Sequence, residues 1–219
     1  MNGWKPIIFL EEAGIDYQLT AIDFSQNEQK SEAYLQLNPN GRIPTLVDHD
    51  NEDFVVFESG AILWYLAEKY QCFLPEGTRA RSQALQWLMF QMSGVGPMMG
   101  QAMYFQRIAA PKGHQDDFAI KRYVNESRRL LEVLNRQLEH KEYILGKDYT
   151  LVDMALYPYV RAYYWAGVPI DGLQALQHWL DRLDARPAIQ KALTLPHPFP
   201  AFFGKGDIQH SQQENASRF

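Results

Sequence analysis

Residues 38–70 constrain the chain more than any other stretch. Asn38-Pro39-Asn40-Gly41 is a turn, because proline fixes φ and Asn-Gly tolerates positive φ. Arg42 and Ile43 lead into Pro44, and Thr45-Leu46-Val47 continues as a short strand. Asp48 to Asp53 is polar enough for a hairpin loop, and Phe54-Val55-Val56-Phe57 is the returning strand. Glu58-Ser59-Gly60 then opens a helix whose apolar residues Ile62, Leu63, Leu66, Ala67 and Tyr70 fall at helical spacing.

A proline just ahead of a strand cannot donate to the sheet ladder. A cis Ile43-Pro44 bond would free the Ile43 backbone to pair with an extended, peptide-like ligand. Only about 5–6% of X-Pro bonds in folded proteins are cis, so spacing does not decide the matter. The helix opening at Ser59 offers unpaired N–H groups and a positive dipole end, a natural seat for a carboxylate. Backbone pairing beside such a seat suits a short anionic peptide. A plain β-hairpin followed by a capped helix describes the same residues, and the residues alone leave both readings open.

Cysteine count narrows the chemistry. Cys72 is the one cysteine, which rules out an internal disulfide or a C-x-x-C redox pair. Thiol chemistry must therefore take its sulfur from a ligand or rest on Cys72, whose apolar setting, Gln71 to Pro75, predicts a buried, inert thiol. The net charge of -5 argues against a nucleic-acid binder. No apolar run approaches the roughly 18 residues of a membrane span. The first residues, with one Lys, then Pro6 and Glu11-Glu12, are unlike a secretory signal, so a cytoplasmic protein is expected. The loop His49-Asp50-Asn51-Glu52-Asp53 offers imidazole and carboxylates without a metal-ligand spacing, and no metal is expected. No G-x-S-x-G, P-loop or G-x-G-x-x-G occurs.

Elsewhere, Pro6 to Glu12 reads as the first turns of a helix with Gly14 as its C-cap, and Tyr17 to Phe24 alternates as a strand. Ser31 to Leu37 reads as a short helix. Phe73 to Gly77 is a linker by its Pro and Gly, dividing a mixed α/β half from an all-helical half. The expected organisation is residues 1–72, a linker at 73–79, a helical domain at 80–204 and a disordered tail at 205–219. In the helical part, 80–106 is a long helix interrupted at Gly94 to Pro97, and 118–138 is a second one. Residues 150–153 form a capping box for a helix running through Ala155 to Trp165 around Pro158; 173–183 and 187–193 follow. Met89, Met92, Met98, Met99 and Met103 suit adaptable core packing, or the wall of a pocket.

R-I-P-T-L-V-D, F-E-S-G-A-I-L-W-Y-L-A-E-K-Y, the 85–101 segment and Y-T-L-V-D-M-A at 149–155 together resemble the glutathione transferases. The resemblance is to the Nu-class, Ure2-like branch of glutathione-dependent disulfide-bond oxidoreductases, and it covers most of residues 2 to 195. It implies a thioredoxin-like N-terminal domain, a helical C-terminal domain, a cis Ile43-Pro44 bond and a homodimer. It implies Gln29, Arg42, Ile43 and Pro44 around the glycyl and cysteinyl parts of glutathione, and Glu58 and Ser59 at its γ-glutamyl end. Arg129, from the pattern R-Y-x-x-E-x-x-R-L, would line the helical wall. Asn2-Gly3 matches the end of the family's Thr-Pro-Asn-Gly motif, but the preceding strand and its Thr are missing, and a start upstream of Met1 is expected. Asn2 is then the remaining side-chain donor to a glutathione sulfur. The cleft of such enzymes accepts two glutathiones or their disulfide, and the second substrate is a small disulfide or an electrophile. The alternatives are a non-enzymatic, Ure2-like glutathione-binding regulatory module, and an enzyme made defective by the missing strand.

Overall fold

The structure, a computed structural model, describes residues 1–196. The tail expected at 205–219 and the end of the expected helical domain lie outside the described residues.

Helix α1 spans Trp4–Ala13, opening two residues earlier than its proline suggests. Pro6 sits in the first turn, where a missing N–H costs nothing, and Gly14 closes the helix in the left-handed conformation at φ 64°. The expected strand from Tyr17 to Phe24 is not formed. Residues 15–23 have no regular structure, and two 3₁₀ turns follow, Phe24–Gln26 and Glu28–Lys30. A strand exists by pairing, and among the described residues the sheet has only two strands. The apolar face expected there is correspondingly open, with Leu19 exposed to solvent.

Ser31 accepts a hydrogen bond from the Tyr34 N–H and so starts α2, Glu32–Leu37. The strands β1, Thr45–Asp48, and β2, Phe54–Phe57, form an antiparallel hairpin in which Thr45 faces Phe57 and Asp48 faces Phe54. Helix α3 spans Ser59–Tyr70.

Helix α4, Thr78–Phe90, passes into a π-helical turn at Gln91–Val95 and then α5, Gly96–Tyr104. The expected interruption at Gly94 to Pro97 is thus a widened turn. The Gly96 N–H reaches back five residues to the Gln91 carbonyl, and Pro97 falls at the start of the next helical segment, where its absent N–H is tolerated. A second π turn, Phe105–Ala109, leads towards α6, Asp117–Leu138, which Asp116 caps through the Ala119 N–H.

Helix α7, Leu151–Arg161, is the centre of the molecule. Leu151 through Pro158 and Val160 are all buried, and the helix packs against α1, α3, α4 and α5. It contains Pro158 and ends at Arg161, short of the expected Trp165, because a series of turns through Gly167 follows. Helices α8, Gln174–Asp184, and α9, Pro187–Ala192, complete the described chain; α8 packs on α6 and α9 lies along α1. One apolar core runs from Trp4 through α3 and α7 to Ala192. Burial at about 25 cal/mol per Å² of apolar surface is what holds the hairpin half to the helical half.

Candidate functional site

Where α1, the 38–44 turn, the start of α3 and the Gln91–Val95 turn meet α7, five chain segments bring polar groups together. The 38–44 turn is built first by its own hydrogen bonds. Asn38 is buried and donates from Nδ2 to the Arg42 carbonyl at 2.6 Å, and the Tyr34 hydroxyl donates to the same carbonyl at 2.9 Å. Gly41 is left-handed at φ 60°, and a Cβ there would stand 2.8 Å from the Gln29 carbonyl oxygen, so only glycine fits. The turn delivers Arg42 and Ile43 to the surface, and the Ile43-Pro44 peptide bond is cis. A Cβ on Gly3 would lie 3.8 Å from Ile43 Cδ1, which places the α1 entry beside the cis bond.

Glu58 ends β2 with φ 69° and ψ 118°, a conformation that costs a side-chain-bearing residue on the order of 1–3 kcal/mol. That twist turns the exposed Glu58 outward and Ser59 inward. No side chain caps α3; the Ile62 N–H is the first to bond back, to the Glu58 carbonyl at 2.9 Å. The Ser59, Gly60 and Ala61 amides therefore have no helical acceptor, and the positive end of the dipole faces the same place.

Beneath Ser59 lies Lys5, which is 1% exposed. Its Nζ donates to Gln91 Oε1 at 2.9 Å and to Ser59 Oγ at 3.2 Å, lies 3.7 Å from Met92 Sδ, and sits 5.3 Å from the centre of the Tyr159 ring. Burial pulls its pKa down to about 7, with Glu58 pulling the other way. Tyr159, on α7, has its hydroxyl pKa raised by burial, with the nearby Asn2 side chain and the charge of Arg42 drawing it back. Asn2, Arg42 and Tyr159 thus share one patch.

Asn2, Arg42, Ile43, Pro44, Glu58 and Ser59 are therefore brought to one region. Gln29 is half-buried beside the 40–42 turn, with its Oε1 buried and unpartnered. Arg129 is not drawn in: it is exposed on α6 and forms a bidentate pair with Glu126 at 2.7 and 2.8 Å. Helix α6 does pack against the Gln91–Val95 turn, so Arg129 borders the region through its helix. Lys5, Gln91 and Tyr159 were missed from sequence. Lys5 had a readable signal, as a lone cation in W-K-P-I-I-F-L on the side of the helix that carries Ile8 and Phe9. Cys72 lies just past the C-terminal end of α3 and is half-buried, less enclosed than its apolar setting predicts; burial pushes its thiol up. Among the described residues no group of three His, Cys, Asp or Glu side chains is placed to hold a metal ion. No described helix is long and apolar enough to cross a membrane.

Comparison with known proteins agrees with this geometry. The family model "Glutathione S-transferase, N-terminal domain" matches residues 1–68, and its C-terminal counterpart matches residues 96–187. The Disulfide-bond oxidoreductase YfcG of Escherichia coli is 41% identical over 196 residues, covering 88% of this chain and 90% of that protein. The chain belongs to the glutathione S-transferase family. Its N-terminal half is the family's thioredoxin-like domain with a two-stranded sheet, and its C-terminal half is the family's helical domain. Within that family it falls with the Nu-class and Ure2-like transferases. A glutathione transferase from Burkholderia graminis, solved with two glutathione molecules bound per subunit, is 40% identical with a TM-score of 0.84, covering 89% of this chain and 84% of that one. A glutathione transferase from Pseudomonas putida, solved with one glutathione disulfide per subunit, is 39% identical with a TM-score of 0.82, covering 89% and 87%.

Proposed function

We propose that the protein is a glutathione-dependent thiol–disulfide oxidoreductase that uses bound glutathione to reduce small disulfides. The observation that carries this reading is the exposed Arg42-Ile43 backbone, which the hairpin register sets beside an uncapped α3 N-terminus at Ser59. That pairing offers an extended peptide backbone one partner and a carboxylate another. Glutathione fits both as substrate.

In this reading the Ser59 hydroxyl and the free amides of α3 take the γ-glutamyl carboxylate, and Glu58 takes the neighbouring ammonium. The Ile43 backbone, freed by Pro44, pairs with the cysteinyl part, and Arg42 and Gln29 face the glycyl end. Asn2 donates its amide N–H to the cysteinyl sulfur, where the α1 dipole also favours negative charge. A free thiol has a pKa of about 8.5, and each pKa unit of thiolate stabilisation is worth about 1.4 kcal/mol. The glutathione thiolate attacks one sulfur of the substrate disulfide; a new S–S bond forms, the old one breaks, and the departing thiolate takes a proton. A second glutathione thiolate then attacks the mixed disulfide, releasing glutathione disulfide and the second thiol. Both electrons come from glutathione sulfurs, which suits a chain whose single cysteine is half-buried with its thiol pushed up by burial. Arg129 is the proposed guanidinium of the helical wall, reached by exchanging Glu126 for a ligand carboxylate. We place the enzyme in the cytoplasm, where glutathione is held reduced, as a homodimer; the exposed Leu85 and Met89, one turn apart on α4, supply apolar surface for a second copy.

The test is reduction of a small disulfide by glutathione, coupled to glutathione reductase, on the wild-type chain and on Ser59→Ala. Turnover that falls at least tenfold in kcat/KM with Ser59→Ala is expected. A folded chain without turnover would reject the enzyme in favour of a binding module.

A further inference from the structure

A buried cation ordinarily sits beside an acid, because an unpaired charge in the interior is costly. Lys5 is an exception. Among the described residues its ammonium has no carboxylate within ion-pair distance; its partners are the Gln91 amide oxygen, the Ser59 hydroxyl, the Met92 sulfur and the Tyr159 ring. Glu58 is near enough to influence it electrostatically but faces solvent. Nothing in the packing of α1 demands a charge at this place, since Ile7, Ile8, Phe9 and Leu10 supply the helix's apolar contacts.

The hydrogen bond to Ser59 has a directional consequence. Protonated, the Lys5 amine can only donate, so in that form Ser59 Oγ accepts from Lys5 and its own hydrogen must point elsewhere. On the protein side the serine's other neighbour is Met92 Sδ at 4.0 Å, a weak acceptor. The strong outlet is outward, past the uncapped first turn of α3.

We propose that Lys5 is the positioning residue of the carboxylate seat: donating to Ser59 Oγ from below, it commits the serine's hydroxyl hydrogen to the ligand carboxylate and places a buried positive charge behind the α3 N-terminus. This deepens the glutathione reading and rests on it. The missing counter-ion is then the ligand's own carboxylate, which completes an ion pair that the free protein leaves open. Gln91 is the second arm: its Oε1 fixes the ammonium from the helical half, and the π turn at Gln91–Val95 is what presents that side chain.

The experiment measures S-methylglutathione affinity by calorimetry for wild type, Lys5→Met, Lys5→Gln, Ser59→Ala and the Lys5→Met/Ser59→Ala pair, with the melting midpoint of each. S-Methylglutathione has no titrating thiol, so sulfur chemistry stays out of the comparison. Lys5→Met is expected to bind about 10–100-fold more weakly, the range for a charge-assisted hydrogen bond, and Lys5→Gln, which keeps a donor but loses the charge, less weakly. Because the hydrogen-bond part of the Lys5 effect runs through Ser59 while its charge acts on the ligand directly, the pair is expected to bind worse than Ser59→Ala alone but by clearly less than the product of the two single losses. Melting midpoints within a few degrees of wild type are expected for both Lys5 variants, and Lys5→Gln decides if Lys5→Met does not fold. Affinity unchanged within twofold in the Lys5 variants, or losses that multiply in the pair, overturns the role of Lys5 while leaving the glutathione reading intact. No binding by the wild-type chain overturns both.

Discussion

Two buried charges divide the molecule into regions that obey different rules. In the helical half, Asp153 is fully enclosed and saturated: the Thr150 N–H and hydroxyl, the Ile144 N–H and the Trp179 indole all donate to it, at 2.9 to 3.1 Å. Burial pushes its carboxyl up, and those four hydrogen bonds draw it back. In the hairpin half, Lys5 has two oxygen acceptors, a sulfur and a ring face. The apolar surroundings differ in the same direction. Between Gly14 and Ser59, Tyr34 is the single buried apolar side chain, whereas α7 is buried along almost its whole length. A saturated ion locks a capping box into a packed core; an unsaturated one waits for something. The contrast separates a residue that builds the fold from one that serves it.

Breaking the saturated side should cost most. Asp153→Ala leaves three N–H groups buried without an acceptor, and a loss of about 3–5 kcal/mol is expected, enough to lower the melting midpoint by roughly 10 °C in a chain of this size. A thermal melt that moves no further than that of Lys5→Met would erase the distinction. Next in size is the site itself. Asn2→Ala should lower kcat/KM for glutathione-driven disulfide reduction by about 10–100-fold, the worth of a hydrogen bond to a developing anion, with the melting midpoint unmoved. An equal effect on KM alone would make Asn2 a binding group with no share in the chemistry.

Smaller, but with a definite sign, is the pH dependence of stability. Lys5 is a base whose pKa is about 7 in the folded chain and 10.5 in the unfolded one. Below pH 7 both states hold the proton, and the group adds no slope. Between about pH 7 and 10 the unfolded state holds more protons, so stability rises with pH, at up to about 1.4 kcal/mol per unit. Urea midpoints of wild type and Lys5→Met at pH 6.5 and 9 report this group together with its coupling to Glu58 and to the buried Met1 amino group, whose pKa of about 5 lies below that range. Wild-type stability that falls relative to Lys5→Met between pH 6.5 and 9 would refute the buried-cation description. The smallest effect is expected at Cys72→Ser, which should change disulfide turnover by less than twofold; a larger loss would move the sulfur chemistry from ligand to protein.

Much of the hairpin half was legible because its signals are local. Pro39, Gly41 and Pro44 punctuate the turn, the apolar pattern from Ile62 to Tyr70 marks α3, and Thr150 with Asp153 spells the capping box. Tyr17 to Phe24 failed for the opposite reason: alternation describes a face, but a strand needs a neighbour, and among the described residues the sheet has two strands. The π turn at Gln91–Val95 has no periodic signature of its own and looked like a break. Successive members of the set Lys5, Ser59, Gln91 and Tyr159 are 32 to 68 residues apart in the sequence, so their meeting is a property of packing around α7 that no motif records. Arg129 marks the converse case, a family position whose side chain here pairs with Glu126.

The salt bridges between α1 and α9 carry a last consequence, for biosynthesis. Arg186 holds Glu12 with two hydrogen bonds of 2.6 and 2.7 Å, and Lys191 holds Glu11 at 2.7 Å. The first described helix is thus fastened by the last, across some 174 residues of chain. On the ribosome, α1 emerges early, meets α3 and then α7, and receives α9 only when nearly the whole protein has been made. Since Lys5 rides on α1, the ligand seat gains its last fastening late in synthesis, and a nascent chain stalled before Arg186 would hold every proposed glutathione contact while lacking the ion pairs that pin the C-terminal end of α1.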